Sequence, residues 1–395
     1  MNTFGLNMIA GPGDAKDLKE CLDSFRALDI FDEIVIVNTC HDDDIDIVAN
    51  DYNAKLYRFE WCSEEYPFGN FGGARQCALE NSESDYIMWL DCDDRCFPEA
   101  QKHIDNLREC IKKLDRDIKY FNIPYDVLFD ENLKAVTSFS KERIFKNDGT
   151  FFWRRPVHEA FIDDPELVEE DQKGFIQNFS VSHVGNKPPE MSAMRNVKIL
   201  EHEYKKLYGK HDPHIEFYYG RDLLISGDAK GLDILKKYVD STCTHKNNLY
   251  LASSEILNYY AYGAFEYCPT LESLKFEENK EEIQSWSYVS IALLNDRAEP
   301  YCIMGDWHFR NGDVESAERF YKLALQQKIN KGMGVQSYLY YEYIPAERLA
   351  RIYSGVGKYE EALFYLKRAM IHKPESELCL HMRKQILDKL NKIYN

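Results

Sequence analysis

Apolar positions in the first ~130 residues fall into short runs separated by amphipathic segments. FGLNMIA (4–10), EIVIVN (33–38), AKLYRF (54–59) and YIMWLD (86–91) read as strands. DLKECLDSFRAL (17–28) and GGARQCALEN (72–81) read as helices, the first with Leu18, Cys21, Leu22 and Phe25 on one face. Continuous apolar strands alternating with helices predict a parallel sheet covered on both sides. Ligands of such sheets bind beyond the C-terminal strand ends. Those ends carry Ala10, Asn38 and Asp91.

From about 119 to 183 the pattern turns β-rich: KYFNIPYDVLF, VTSFSKERIFK, TFFWRRPVHEAFI and GFIQNFSVSHV. Turns are expected at Asn147-Asp148-Gly149 and Asp163-Asp164-Pro165. This predicts a mixed-sheet extension, ended by Asn186-Lys187-Pro188-Pro189. Beyond it only helices are expected. The division is therefore 1–188, an α/β Rossmann-like domain, then 189–395, an all-α helical-repeat region.

Within that region, 305–327 and 350–374 share a register. Gly312, Ala317 and Ala324 recur as Gly357, Ala362 and Ala369, and 225–239 is a weaker third copy. Ala362, Leu366, Ala369 and Pro374 fit the tetratricopeptide pattern, with a loop over 328–345 taking up the longer offset. The aromatic runs 217–219 and 337–343 read as helix core.

Composition narrows the class. Hydrophobic residues are 44% and charged residues 29% of the 395, the range of a folded protein. A net charge of −18 disfavours unspecific nucleic-acid binding. The N-terminus lacks a basic lead and no run is long enough to span a membrane. Eleven scattered cysteines without a C-x-x-C pair disfavour a zinc ribbon. These features predict a cytoplasmic protein with no membrane partner.

The candidate chemistry lies at Trp89-Leu90-Asp91-Cys92-Asp93-Asp94. At strand spacing Asp91 and Asp93 project to one side, and paired carboxylates in a crevice suit Mg²⁺ or Mn²⁺. Gly11-x-Gly13 reads as a turn, His41-Asp42-Asp43-Asp44 as a solvated helix start, and Arg154, Arg155 and Arg221 as surface pairs.

Taken in order, the blocks 32–61, 71–94, Arg154–Phe161 and Ser180–Gly185 resemble family 2 glycosyltransferases with the A-type nucleotide-sugar fold. More narrowly they are similar to soluble members with tetratricopeptide-like C-terminal regions, including peptide S- and O-glycosyltransferases. The resemblance implies an inverting transfer from a nucleotide-sugar donor, with UDP as the leading nucleotide, and Mn²⁺ or Mg²⁺ as cofactor. It implies a nucleotide pocket of Asp14, Asn38, Asp43, Arg75 and Asp91, and metal ligands Asp91, Asp93 and His183. Glu159 is the candidate base, with His158 second; the alternative for Val157-His158-Glu159 is a structural turn. Asn38, Cys40, His41 and Gly11–Asp14 depart from the family pattern, which bears on base and sugar preference. Peptide or protein, saccharide, and hydroxymethylated bases of viral DNA stand as alternative acceptors. A non-catalytic repeat scaffold with a degenerate transferase domain is the other reading. Exposed repeat faces allow a homodimer through the helical region.

Overall fold

The computed structural model describes all residues except 26–29, 115, 130–134, 162–167, 186–187, 242–245, 264–268, 330–335 and 395. The expected Asp163–Pro165 turn, Cys243 and Cys268, and part of the 328–345 loop lie outside the described residues. The chain divides into two compact units. One comprises 1–188, 198–203 and 331–335; the other 189–197, 204–330 and 336–395.

The first unit opens with β1 (Phe4–Ala10), α1 (Ala15–Phe25), β2 (Glu33–Asn38), α2 (Asp43–Asp51), β3 (Lys55–Arg58), α3 (Phe71–Glu80) and β4 (Tyr86–Leu90). It continues with β5 (Asp94–Arg95), a single turn over Pro98–Gln101, α4 (Ile104–Lys112), β6 (Tyr120–Phe129), β7 (Ala135–Lys146), β8 (Lys173–Phe175) and β9 (Val181–His183). The sheet runs β3-β2-β1-β4-β7-β6-β9-β5, with β8 beside β6. β3, β2, β1 and β4 are parallel, and β7 joins β4 antiparallel, so the sheet is mixed.

Strand alternation sets two cores. Phe4, Leu6, Met8, Met88 and Leu90 pack with Leu18, Cys21, Leu22 and Phe25 of α1 and with Ile104, Leu107 and Ile111 of α4. On the opposite face Val35 and Val37 meet Ala74 and Ala78 of α3, whose small side chains let the helix lie close. Ile87 and Trp89 face an aromatic cluster with Trp153, Phe145, Phe151 and Phe161.

Contrary to the β-rich pattern of the sequence there, residues 150–161 form no strand, only an isolated bridge between Arg154 and Ala160. Their backbone bonds go to α3 instead: Phe71 N donates to Pro156 O (2.8 Å), and Trp153 N to Gln76 Oε1 (2.9 Å). The apolar residues that read as a strand are the aromatic cluster's side chains.

The second unit contains α5 (Pro189–Lys206, whose residues divide between the units), α6 (Pro213–Ile225), α7 (Lys230–Val239), α8 (Lys246–Tyr262) and α9 (Phe276–Leu293). Then come α10 (Glu299–Arg310), α11 (Val314–Gln326), a π turn (Leu339–Tyr343), α12 (Ile344–Gly355), α13 (Tyr359–His372) and α14 (Glu377–Tyr394). Helices pair as hairpins, α6 with α7, α8 with α9, α10 with α11 and α12 with α13, and successive hairpins stack.

The turns of the suspected repeats are the same device. Gly227, Gly312 and Gly357 have φ of 88°, 80° and 76°. Each donates to the carbonyl three residues back, and the following residue donates five back, as in Asp313 N to His308 O (2.9 Å). This is the glycine cap that closes a helix in the left-handed region. The third copy differs by one residue. Its buried face is Gly231, Leu235 and Tyr238, one step nearer the glycine than Ala317, Tyr321 and Ala324 or Ala362, Leu366 and Ala369. The aromatic run at Leu339–Tyr343 is core as expected, with Leu339, Tyr340, Tyr341 and Tyr343 buried. Among the described residues no helix is long and apolar enough to cross a membrane.

Candidate functional site

The C-terminal ends of β1, β2 and β4 bring three polar turns to one sheet edge. The turn after β4 is not the extended D-x-D that strand spacing suggests. Asp91 N donates to Asp94 Oδ2 (2.9 Å), and Asp94 N donates back to Asp91 O (3.0 Å). This closed turn sends Asp91 and Asp93 into different surroundings.

Asp93 faces β9. Register pairs Asp94 with His183, and Val184 N donates to Asp93 O (2.9 Å). Ligand atoms of Asp93, Asp94 and His183 lie within 4.8 Å of one another. His183 Nδ1 is 3.4 Å from Asp93 Oδ1 and 3.5 Å from Asp94 Oδ1. The Nδ1 atom is itself buried and makes no hydrogen bond, although the ring as a whole is partly exposed. Burial opposes charge on this ring, yet the two carboxylates outweigh it and raise the imidazole to about 10. A Cβ on Gly185 would sit 2.5 Å from Asp93 Oδ2 and 2.9 Å from His183 Nε2, so only glycine leaves this concavity open. Carboxylate oxygens with one orphaned imidazole nitrogen fit a divalent cation of Mn²⁺ type.

Asp91 belongs to a chain of buried and part-buried charges. Arg75 Nη2 contacts Asp91 Oδ1 (2.5 Å), and Arg75 Nε donates to Glu159 Oε1 (2.7 Å). The fully buried Arg143 reaches Asp91 Oδ2 (3.3 Å) and Asp94 Oδ2 (3.1 Å). Tyr125 OH donates to Asp94 Oδ1 (2.9 Å). Both guanidinium groups stack on Trp89, at 4.5 Å for Arg75 and 3.9 Å for Arg143. Burial raises the cost of charge on Asp91, but Arg75, Arg143 and Lys141 outweigh it and hold the carboxyl far below its usual range. Glu159 is likewise held low: Arg75 overcomes its burial.

The remaining sequence candidates divide. Asp14 sits in the turn after β1, where its Oδ2 accepts from Gly11 N (2.9 Å). Asn38 is fully buried and organises the turn after β2. Its Nδ2 donates to Asp42 O (2.9 Å) and Asp46 Oδ1 (2.8 Å), while Oδ1 accepts from Cys40 N (3.1 Å). Asp43 is exposed in the first turn of α2, which Asp42 caps, as a solvated helix start predicts. His158 adopts φ 49°, a left-handed backbone uncommon for a non-glycine residue, beside Glu159.

Arg143, Lys141 and Tyr125 stand outside the residues the sequence points to, and Asp94 enters there only as part of the Trp89–Asp94 motif, without a role. A signal was present: Lys141 and Arg143 interrupt a strand whose neighbours Ile144 and Phe145 are buried. Between Phe121 and Asn122 the register of β7 steps from Ile144 to Glu142, leaving Arg143 as the extra residue of a bulge. Bulges re-aim side chains next to sites.

The sheet order and this acid-and-base-lined strand edge define the class: a mixed α/β domain followed by a helical-repeat region. The family model for glycosyl transferase family 2 matches residues 13–159, most of the first unit. A TPR repeat-containing protein of Synechococcus elongatus is 27% identical over 161 residues, 40% of this chain and 36% of that protein. The match thus spans about a third of that relative. Among solved structures, glucosyl-3-phosphoglycerate synthase from Mycobacterium tuberculosis, in complex with Mn²⁺, UDP and glucosyl-3-phosphoglycerate, is 16% identical. It covers 51% of this chain and 80% of its own, with a TM-score of 0.35. S. aureus TarS is 15% identical, covering 65% and 52%, with a TM-score of 0.33.

Proposed function

We propose that the N-terminal unit transfers a glycosyl group, with inversion, from a nucleoside-diphosphate sugar to a peptide, protein or saccharide acceptor. UDP sugars are the first donors to test. The reading is carried by one observation: the Asp93–Asp94–His183 group stands beside the Asp91–Arg75–Glu159 chain at the strand ends of a family 2 domain. Asp93, Asp94 and His183 would hold a divalent cation. When bound, that cation supplies positive charge against the departing diphosphate. Arg75 and Arg143 fix the Asp91 carboxylate, which at 28% side-chain exposure still opens to the crevice. The acceptor's oxygen or sulfur attacks the anomeric carbon, and the bond to the diphosphate breaks with its electron pair. The acceptor's proton passes to Glu159, oriented through Oε1 by Arg75, with His158 the second candidate. The helical unit would bind the acceptor, as repeat surfaces grip extended chains.

The test is thermal-shift binding of nucleoside diphosphates and their sugars, with Mn²⁺ or EDTA. One nucleotide should stabilise the wild type in Mn²⁺ and fail to stabilise Asp93→Ala. Absence of any shift in a folded wild type would leave a repeat scaffold and sink the reading. Glu159→Gln keeps an acceptor for Arg75 but loses the base. It should retain nucleotide binding while donor turnover falls about 10²- to 10⁴-fold. Unchanged turnover would reduce Glu159 to a positioning residue.

A further inference from the structure

Three cations surround the site's aromatic rings, and the structure treats them differently. Arg75 and Arg143 are matched by Asp91, Glu159 and Asp94. Lys141 is not. Its Nζ lies 4.9 Å from the centroid of Trp89 and 5.2 Å from that of Tyr125, and it makes no hydrogen bond or ion pair among the described residues. The side chain is only partly exposed. An ammonium stripped of much of its water, touching ring faces and bonded to no carboxylate, is costly even though Asp91, Glu159 and Asp94 attract it through space. Burial and the neighbouring Arg143 both act against its charge, pulling it down to about 8. A protein that needed only a filler over Trp89 would do better with methionine.

We propose that Lys141 is an anion subsite, taking a phosphate or carboxylate oxygen of the substrate. The inference rests on the transferase reading and assigns a residue that neither the turn after β4 nor the V-H-E segment contains. The arrangement fits an incoming anion because every other cation there is committed. Arg75 has Nε on Glu159 and Nη2 on Asp91, and Arg143 spans Asp91 and Asp94. Arg143 cannot turn to a ligand without stranding the buried Asp94, nor Arg75 without releasing the part-buried Asp91 and Glu159, whereas Lys141 can swing on its four-carbon stem at no such cost. Tyr125 links the subsite to the cation group, since its hydroxyl is bonded to Asp94 while its ring carries Lys141. The anion therefore belongs to a substrate that reaches both.

The test compares wild type, Lys141→Met and Lys141→Arg in Mn²⁺ by calorimetric titration. The probes are uridine, UDP, UDP-glucose, UDP-glucuronate, and inorganic phosphate added at saturating UDP. Methionine keeps the packing over Trp89, and melting curves and uridine binding report that the fold is intact. We expect Lys141→Met to lose tenfold or more in affinity for at least one anionic probe, with uridine unchanged and arginine restoring most of the loss. Loss for UDP and both sugars places the anion in the donor diphosphate. Loss for UDP-glucuronate alone places it in the transferred sugar, and loss for phosphate alone in the acceptor. Equal affinities for every probe in Lys141→Met and wild type would overturn the subsite. A wild type that binds phosphate through Lys141 but no nucleotide would instead keep the subsite and remove the transferase reading. A wild type that binds no anionic probe removes both.

Discussion

Each unit buries arginines among carboxylates, and the two arrangements differ in what they leave open. In the helical unit Arg348 Nε donates to Asp306 Oδ1 (2.9 Å), its Nη1 contacts Glu347, and its Nη2 donates to Pro269 O (3.2 Å). Tyr321 OH donates to Asp306 Oδ1 (2.6 Å), and Arg351 joins Glu347 to Glu272. Every nitrogen of Arg348 is used. The leftover is an acceptor, Asp306 Oδ2, and burial pushes that carboxyl upward, the direction that gives it a proton. The strand-end network leaves donors and a ligand nitrogen instead: Lys141 Nζ, Arg143 Nε and His183 Nδ1. A buried ionic network that closes on itself holds helices in register. One that ends in unpartnered cationic and imidazole nitrogens is shaped for something that arrives.

The largest expected effect tests the closed network. Arg348→Met removes the guanidinium that bridges Asp306 and Glu347, both buried in the hairpin stack, and leaves Asp306 only Tyr321 and Glu347 only Arg351. Removing one partner of a buried pair costs about 3–5 kcal/mol. Hydrogen exchange should show the loss in α10 through α13, while β1–β4 and the nucleotide-dependent thermal shift stay as in wild type. A matching loss of nucleotide binding would mean that the two networks are not separate in role.

That separation was only half legible in the sequence. β1 and β2 fall where the apolar runs place them, because strands buried on both faces leave little doubt about register. The glycine–alanine spacing located the repeat hairpins, because a left-handed cap and a small residue at a helix crossing each demand particular side chains. The turn after β4 was misjudged as extended. What bends it is a bond from Asp91 N to the side chain of Asp94, and a run of aspartates does not say which one caps the turn. The roles of Arg143 and Lys141 depend on a bulge against β6 and on pairing with β4, the latter between residues more than fifty apart, and neither shows in a local pattern. Segment 150–161 misled for the opposite reason: its aromatic residues carry a strand-like composition, but they fill a cluster rather than a ladder.

The open network should respond in binding rather than in stability. His183→Ala removes the imidazole from the Asp93–Asp94 pair, and loss of one ligand should weaken Mn²⁺ affinity by about 100-fold or more. Gly185→Ala should act in the same direction without touching a ligand, because its Cβ would fall 2.5 Å from Asp93 Oδ2. Titration of Mn²⁺ in the presence of nucleotide measures both. If either variant bound Mn²⁺ as wild type does, the cation would have to be placed elsewhere along the strand edge.

The smallest effect concerns a glycine of the other unit, and here the sign is informative. Gly312 turns the chain from α10 to α11 at φ 80°, with nothing within 4 Å of where a Cβ would stand. Space is therefore not the obstacle; the left-handed backbone is. Alanine there should cost about 1–2 kcal/mol of stability. Gly355, also with open space around its missing Cβ, is the last residue of α12. Alanine there should instead stabilise, by up to about 0.5 kcal/mol at a helix end, through helix propensity. Neither change should alter nucleotide or Mn²⁺ binding, since both lie in the unit whose buried charges are already paired. Urea denaturation of the two variants side by side measures the difference. Opposite signs would tie the repeat turns to their caps, whereas two losses of equal size would mean that the hairpins tolerate no added methyl group and that packing, rather than backbone conformation, selects these glycines.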